Sequence, residues 1–223
     1  MIPLKRSPEP SILVQKKNEW STKYLELRQT KPNARPSHAQ YAHPAIKDAL
    51  RSMSFHKCFY CERKLSESED QVEHYLEVAE HPHLAFEWEN LFLTCAECNK
   101  RKRPQSEIPV DECLNPCDEK PIPNEHLTFE QEIIRAKNHS TKGLHTIQKY
   151  CLDRGDLDLQ RLRRLQGFYR LLEDIRKRQI ADGGRVINEQ EKELLLSFQQ
   201  PDQPFSLMFQ CYFAKIGLTQ DTF

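Results

Sequence analysis

The sequence predicts an α+β fold that is mainly α-helical, with a small cysteine-rich module near the middle of the chain. Apolar residues recur at helical spacing before residue 54 and after residue 140. Only 6 of the 223 residues are glycine, which argues against a large β fold with many tight turns. Two Cys-x-x-Cys pairs separated by 33 residues mark the module between the helical segments.

The composition indicates a polar protein with balanced charge. The chain has 33 basic and 33 acidic residues, so its formal net charge is zero, and 38% of its residues are hydrophobic. The amino-terminal residues lack the apolar stretch of a signal peptide, and no run is long enough to span a membrane. We therefore expect a cytoplasmic protein whose eight cysteines are reduced, which favours metal binding over disulfides.

We divide the chain into three segments. Residues 1–54 should form an extended arm or surface tail, over residues 1–14, followed by helices over residues 16–29 and 44–53. Residues 55–124 should form the cysteine-rich module, and residues 125–223 a hairpin followed by helices.

Within the module, residues 71–76 read as a strand, residues 88–93 as a second apolar stretch, and residues 96–103 as a helix. In the last segment, a hairpin is predicted over residues 126–135. Helices are predicted at residues 144–152, 156–181 and 204–216, with a further helix beginning at Asn188. The long helix should bury one face that carries Leu159, Leu162, Leu165, Phe168, Leu172 and Ile175.

The two cysteine pairs predict a structural zinc site. Two residues between cysteines allow a tight turn to direct both sulfurs at one ion, and four thiolates give a closed tetrahedral site. The predicted ligands are Cys58, Cys61, Cys95 and Cys98. Such an ion would stabilise a unit that is too small to bury much surface by itself.

Three motifs in this region carry a resemblance to a known family. They are Val72-Glu73-His74-Tyr75, Trp88-Glu89-Asn90-Leu91 and Cys95-Ala-Glu-Cys98-Asn99. Together they resemble the HNH endonuclease motif, which implies a zinc-stapled ββα-metal core. More loosely, the whole chain resembles the PtuB family, the HNH nuclease subunits of Septu-type antiphage systems, which also occur with some retrons.

The resemblance implies a role for each residue of the motif. His74 would be the general base, since a neutral imidazole can take a proton from water. Glu73 and Asn99 would ligate a catalytic Mg²⁺ or Mn²⁺ through oxygen, as hard cations prefer. Asn90 would hold the loop that presents His74. The sequence departs from the family in having Glu73 where Asp is commoner, and in lacking the Pro-Lys that often follows the histidine.

The resemblance also implies partners: nucleic acid, a PtuA-like ATPase subunit, and in retron-linked cases a reverse transcriptase with its nucleic acid. The sequence leaves DNA and RNA open as substrates. Lys100, Arg101, Lys102 and Arg103 are candidates for phosphate contacts, with solvated helix surface as the alternative. A belt of basic residues on the long helix, including Arg161, is explained equally well by contact with a partner, by ordinary i,i+4 pairing or by contact with nucleic acid. The alternative function is a non-catalytic zinc-binding adaptor that contacts nucleic acid or a protein.

Overall fold

The computed structural model describes residues 1–102, 108–120 and 122–217, and the fold is mainly helical with two small sheets. This confirms the predicted fold class. The helices are α1 (Ser11–Thr30), α2 (His38–Tyr41), α3 (Pro44–Met53), α4 (Ala96–Arg101), α5 (Pro123–His126), α6 (Thr141–Tyr150), α7 (Gly155–Ala181), α8 (Glu189–Ser197) and α9 (Ser206–Ile216). The strands are β1 (Asp70–His74), β2 (Leu91–Cys95), β3 (Leu127–Glu130) and β4 (Ile133–Ala136).

The central module is a ββα unit. Strands β1 and β2 pair antiparallel, with Glu73 opposite Phe92 and His74 opposite Leu91. Helix α4 follows β2 without a break, and Lys102 ends it. The predicted helix was two residues longer, and its last residue, Arg103, lies outside the described residues. The predicted strand over residues 71–76 extends too far, because β1 ends at His74.

The prediction of an extended arm or surface tail over residues 1–14 is correct in that residues 1–10 form neither helix nor strand, but it is wrong in its limit and in its position at the surface. Helix α1 begins at Ser11, directly after Pro10. Met1, Ile2 and Leu4 are buried. The arm is part of the core because its apolar side chains belong to the same hydrophobic cluster as those of the module. In addition, the Leu4 amide donates to the Pro116 carbonyl at 2.7 Å.

The arm also holds the turn that precedes β2. The guanidinium of Arg6 donates to the carbonyls of Leu91, at 2.8 Å, Glu89, at 2.8 Å, and Trp88, at 3.0 Å. The indole Nε1 of Trp88 donates back to the Ser7 carbonyl at 2.9 Å. These hydrogen bonds connect the arm to the module through backbone carbonyls of the turn.

The segments after the module form the predicted hairpin, β3 with β4, and the predicted helices. Tyr150, at the end of α6, stacks on Tyr60 of the module with ring centroids 3.9 Å apart. Asn188 caps α8 in a capping box with Glu191, as a helix beginning at Asn188 predicts.

The predicted apolar face of α7 needs one correction. Leu159 is exposed, whereas Leu157 and Arg161 are buried. Burial of Arg161 is compensated because its guanidinium donates to the Leu152 carbonyl and to Asp158. Arg161 therefore does not belong to a surface basic belt.

The buried hydrophobic residues of all three segments form one continuous cluster. Within the described part of the chain, no helix combines the length and apolar character that crossing a membrane requires.

Candidate metal centre and catalytic pocket

The four predicted cysteine ligands lie together in the module. Their sulfur atoms all lie within 4.8 Å of one another, and all four side chains are buried. The Sγ atoms of Cys61 and Cys95 are 3.9 Å apart. A tetrahedral ion with zinc–sulfur bonds of about 2.3 Å requires sulfurs about 3.8 Å apart, so the cluster fits zinc.

Local structure explains how the second pair comes together. Cys95 ends β2 and is the N-cap of α4, and its sulfur accepts a hydrogen bond from the Cys98 amide at 3.4 Å. Arg154, just before α7, donates from Nη1 to the Cys98 sulfur at 3.6 Å. A positive group at this position offsets the charge of four thiolates.

A pocket of about 260 Å³ lies at the end of β1, beside α4. Three of the four residues predicted for catalysis line it, namely Glu73, His74 and Asn99. Two residues that sequence reasoning missed, Arg35 and Tyr41, also line it. They come from the segment around α2, where no motif marks them, so the sequence offered no signal for them.

The His74 side chain is held in a defined orientation. Its Nε2 lies 2.9 Å from the carbonyl oxygen of Ala85, and its ring packs against Tyr41 with centroids 4.6 Å apart. Because a carbonyl only accepts, Nε2 carries the proton in the neutral ring. Within the described residues, no hydrogen bond engages Nδ1. Burial lowers the pKa of His74 to about 4, so the imidazole is neutral at pH 7.

Asn90 is buried and bonds entirely to backbone. Its Oδ1 accepts from the Leu76 amide at 2.6 Å, and its Nδ2 donates to the carbonyls of Leu76 and Leu84, both at 3.1 Å. These bonds span the loop between His74 and Ala85. Asn90 thereby connects the chain that follows the imidazole to the chain that supplies its hydrogen-bond acceptor.

Glu73 is buried, and both its carboxylate oxygens are already engaged. The Tyr60 hydroxyl donates to Oε1, and the Lys102 ammonium donates to Oε2 at 2.7 Å. Burial raises the pKa of Glu73, and the charge of Lys102 opposes that shift. The carboxylate faces the pocket with a positive partner in place.

Asn99 is the fourth residue of α4 and is half-buried. Its Nδ2 donates to the Gln71 side-chain oxygen at 2.8 Å. This bond leaves the amide oxygen as the group available for a cation. One carboxylate and one amide oxygen at the edge of a single pocket are the donor types that Mg²⁺ and Mn²⁺ prefer.

The phosphate-contact prediction is wrong for Lys102, since its side chain is only 1% exposed and is paired with Glu73. Lys100 is exposed and lines the pocket. Arg101 pairs with Glu97 within α4, and Arg103 lies outside the described residues.

Comparison with known proteins agrees with this geometry. Residues 58–105 match the HNH endonuclease family, so the ββα unit with its cysteine cluster is an HNH domain. The wider chain is similar to two proteins called Septu protein PtuB. The one from Bacillus thuringiensis is 29% identical over an alignment of 158 positions, and the one from Bacillus mycoides is 28% identical over an alignment of 236 positions.

The alignments cover most of this chain and a smaller share of its relatives. They span 70% of this chain and 56% of the Bacillus thuringiensis protein, and 90% of this chain and 76% of the Bacillus mycoides protein. The resemblance that the motifs predicted is therefore confirmed.

Proposed function

We propose that this chain is a metal-dependent endonuclease that hydrolyses phosphodiester bonds in nucleic acid at the pocket beside β1. The observation that carries the proposal is the state of His74. Its ring is neutral, its Nε2–H is bonded to the Ala85 carbonyl, and no hydrogen bond among the described residues engages its Nδ1. The residue lines the same pocket as Glu73 and Asn99.

In this proposal His74 is the general base. Proton abstraction requires a lone pair on a ring nitrogen within reach of the attacking water, and a fixed tautomer keeps that lone pair on Nδ1. The Ala85 carbonyl stabilises the imidazolium that forms, because Nε2–H donates to it more strongly once the ring is charged.

Asn90 is a positioning residue. Its three backbone hydrogen bonds hold the loop that contains Ala85 at a fixed distance from the end of β1. Loss of these bonds would let the carbonyl move and free Nε2, which would also free the ring to rotate.

Glu73 and Asn99 are proposed ligands of Mg²⁺ or Mn²⁺. When bound, such an ion polarises the scissile phosphate and neutralises charge that develops in the transition state. Arg35 and Lys100 line the same pocket and are proposed to bind the phosphates that flank the scissile bond. Arg35 would then supply the cation that is lost with the missing Pro-Lys after the histidine.

We further propose that the chain works in the cytoplasm with a PtuA-like ATPase in an antiphage complex, and with a retron reverse transcriptase where one is encoded. The support is the similarity to Septu protein PtuB, together with a net charge of zero. Nucleic-acid affinity comes mostly from neutralised phosphates, so a neutral chain gains from a partner that contributes basic surface. The chemistry of the pocket is compatible with DNA and with RNA.

The test is cleavage of plasmid, single-stranded DNA and total tRNA by zinc-loaded protein. It is run with Mg²⁺ or Mn²⁺, alone and with the neighbouring ATPase and nucleotide. His74→Ala should slow cleavage strongly. His83 is an exposed histidine of the adjacent loop, and His83→Ala should cleave at the wild-type rate. General-base removal should cost about 10²–10⁴-fold in rate. Wild-type protein that cuts nothing under any of these conditions contradicts the nuclease proposal, and equal cleavage by the two variants contradicts the assignment of the base.

A second candidate function, a non-catalytic zinc-binding adaptor, is favoured by one observation. Both oxygens of Glu73 already have partners, in Tyr60 and Lys102. An adaptor would bind nucleic acid or the ATPase with unchanged affinity in His74→Ala and would show no divalent-metal dependence. The same set of assays separates the two functions.

A further inference from the structure

Lys102 lines the pocket, and three oxygen acceptors surround its ammonium group. Its ammonium lies 2.7 Å from Glu73 Oε2 and 3.3 Å from Glu77 Oε1, and it also donates to the carbonyl oxygen of His74. An ammonium has three hydrogens, and these three acceptors satisfy all of them. The side chain is 1% exposed, so solvent contributes little to holding the charge.

The position of the backbone fixes this arrangement. Lys102 ends α4, and its amide still donates to the Cys98 carbonyl at 3.0 Å, so the residue is anchored about one turn after the last ligand of the cysteine cluster. From there the side chain runs back across the module to β1. The other carboxylate oxygen of Glu73 accepts from the Tyr60 hydroxyl, so the carboxylate cannot swing away from the ammonium without losing that bond.

A buried carboxylate with a positive charge at 2.7 Å is already neutralised. A divalent cation gains most of its affinity from unpaired negative charge, and it would have to share or replace the ammonium at Oε2. Two cations at one oxygen of a buried site repel each other strongly.

We propose that the Lys102 ammonium is the resident cation of the Glu73 and Glu77 carboxylates, and that a divalent metal must displace it to reach Glu73. This inference rests on the proposed function, because it concerns the metal ligand of that site. Lys102 thereby sets how tightly the pocket binds metal, and a bound substrate phosphate would favour the exchange by adding negative charge on the open side of the pocket.

The experiment measures Mn²⁺ binding to zinc-loaded full-length protein, by the loss of the free Mn²⁺ signal in electron paramagnetic resonance. Lys102→Met removes the charge and keeps the apolar stem. Lys102→Gln also removes the charge but can still donate a hydrogen bond to Glu73, so it covers the case in which the methionine variant does not fold. Lys100→Met is the control, since Lys100 lines the same pocket and is exposed.

We expect Mn²⁺ to bind about tenfold or more tightly to the Lys102 variants than to wild type, and Lys100→Met to bind within about threefold of wild type. Unchanged or weaker binding to the Lys102 variants overturns the inference. An equal gain in Lys100→Met also overturns it, because the effect would then be one of general charge.

Cleavage assays on the same variants separate this inference from the proposed function. If the Lys102 variants bind Mn²⁺ tightly but neither they nor wild type cut nucleic acid, the inference that Lys102 competes with the metal is supported and the nuclease proposal fails. If wild type cuts and the Lys102 variants bind Mn²⁺ no better than wild type, the nuclease proposal is supported and the inference about Lys102 fails.

Discussion

Arg154 Nη1 lies 3.6 Å from the sulfur of Cys98 and 3.1 Å from the carbonyl oxygen of Cys151. Cys151 ends α6 and Arg154 is the N-cap of α7, so one buried guanidinium connects the cysteine cluster to the turn between these two helices. A cluster of four thiolates around a divalent ion carries excess negative charge, which a guanidinium stabilises. The carboxy-terminal helices therefore contribute to the environment of the candidate zinc site.

We predict that Arg154→Gln weakens zinc binding by about tenfold or more, the size of effect typical for partners of metal ligands. Arg163→Gln is the matched control, since Arg163 is an exposed arginine of α7. Zinc transfer to a colorimetric chelator measures the difference. Equal transfer of zinc from the two variants would mean that the contact between Arg154 and Cys98 does not contribute to zinc affinity.

Removal of the zinc itself should unfold the module. Cys95 ends β2 and caps α4, so its loss affects the metal site and the strand–helix junction together. Structural zinc sites contribute about 10–16 kcal/mol in isolated peptides, which is comparable to the whole free energy of unfolding of an ordinary domain. Cys95→Ala should therefore be insoluble or lack tertiary structure by near-ultraviolet circular dichroism. Cys211→Ala, a half-buried cysteine outside the cluster, should fold normally with full zinc content; a well-folded Cys95→Ala would show that the metal is dispensable.

Arg6 should stabilise the turn that carries Asn90. Arg6→Met keeps an apolar stem against Phe92 but loses the donors to three carbonyls of the turn. Hydrogen bonds from charged groups contribute about 1.5–3 kcal/mol each, so we expect a loss of about 2 kcal/mol or more in local stability. Hydrogen exchange of residues 84–92 should accelerate about 30-fold, which corresponds to that free energy. Lys5→Met, at an exposed neighbour, should leave exchange unchanged.

The sequence predicted the parts of this site that depend on local spacing. The cysteine pairs, the Glu73-His74 dipeptide and Asn99 lie in or beside elements whose order along the chain is simple, so motif spacing was enough to bring the cysteines into one cluster. Helices with a clear period or a good cap, such as those at residues 156–181 and after Asn188, were also found.

The contacts that sequence reasoning missed are long-range pairings. Arg6 lies 85 residues from Leu91, and Lys102 lies 29 residues from Glu73. Each is a cation in a basic or polar stretch that reads as surface, and each is buried because carbonyls or carboxylates from distant elements satisfy its charge. The spacing of residues along the sequence cannot reveal such partners. For the same reason Arg161, an arginine in an amphipathic helix, was predicted to be exposed although it is buried.

Glu62 connects the first cysteine pair to α9 and should be important for stability. It is buried, its Oε2 lies 3.3 Å from the Lys57 ammonium, and it accepts from the Ser206 hydroxyl at 2.7 Å. Glu62→Gln leaves the buried Lys57 without its anion, which typically costs about 3–5 kcal/mol. Glu69→Gln breaks an exposed pair with Arg63 and should cost about 1 kcal/mol at most. Urea unfolding with zinc present measures both, and equal midpoints for the two variants would contradict the prediction.

Two glycines should respond to alanine in opposite directions. A Cβ at Gly143, in the first turn of α6, would lie 2.2 Å from the His126 carbonyl oxygen, which is far inside contact distance. Because that neighbour is backbone, α5 and α6 would have to separate, and such overpacking costs about 1–3 kcal/mol. A Cβ at Gly167, in α7, would meet nothing within 4 Å. Gly167→Ala should therefore stabilise the protein by about 0.5–1 kcal/mol, since alanine restricts the unfolded chain and favours helix. In thermal unfolding, the midpoint temperature of Gly143→Ala should lie below that of wild type and the midpoint of Gly167→Ala above it. A stabilised Gly143→Ala would mean that α6 does not approach His126 this closely.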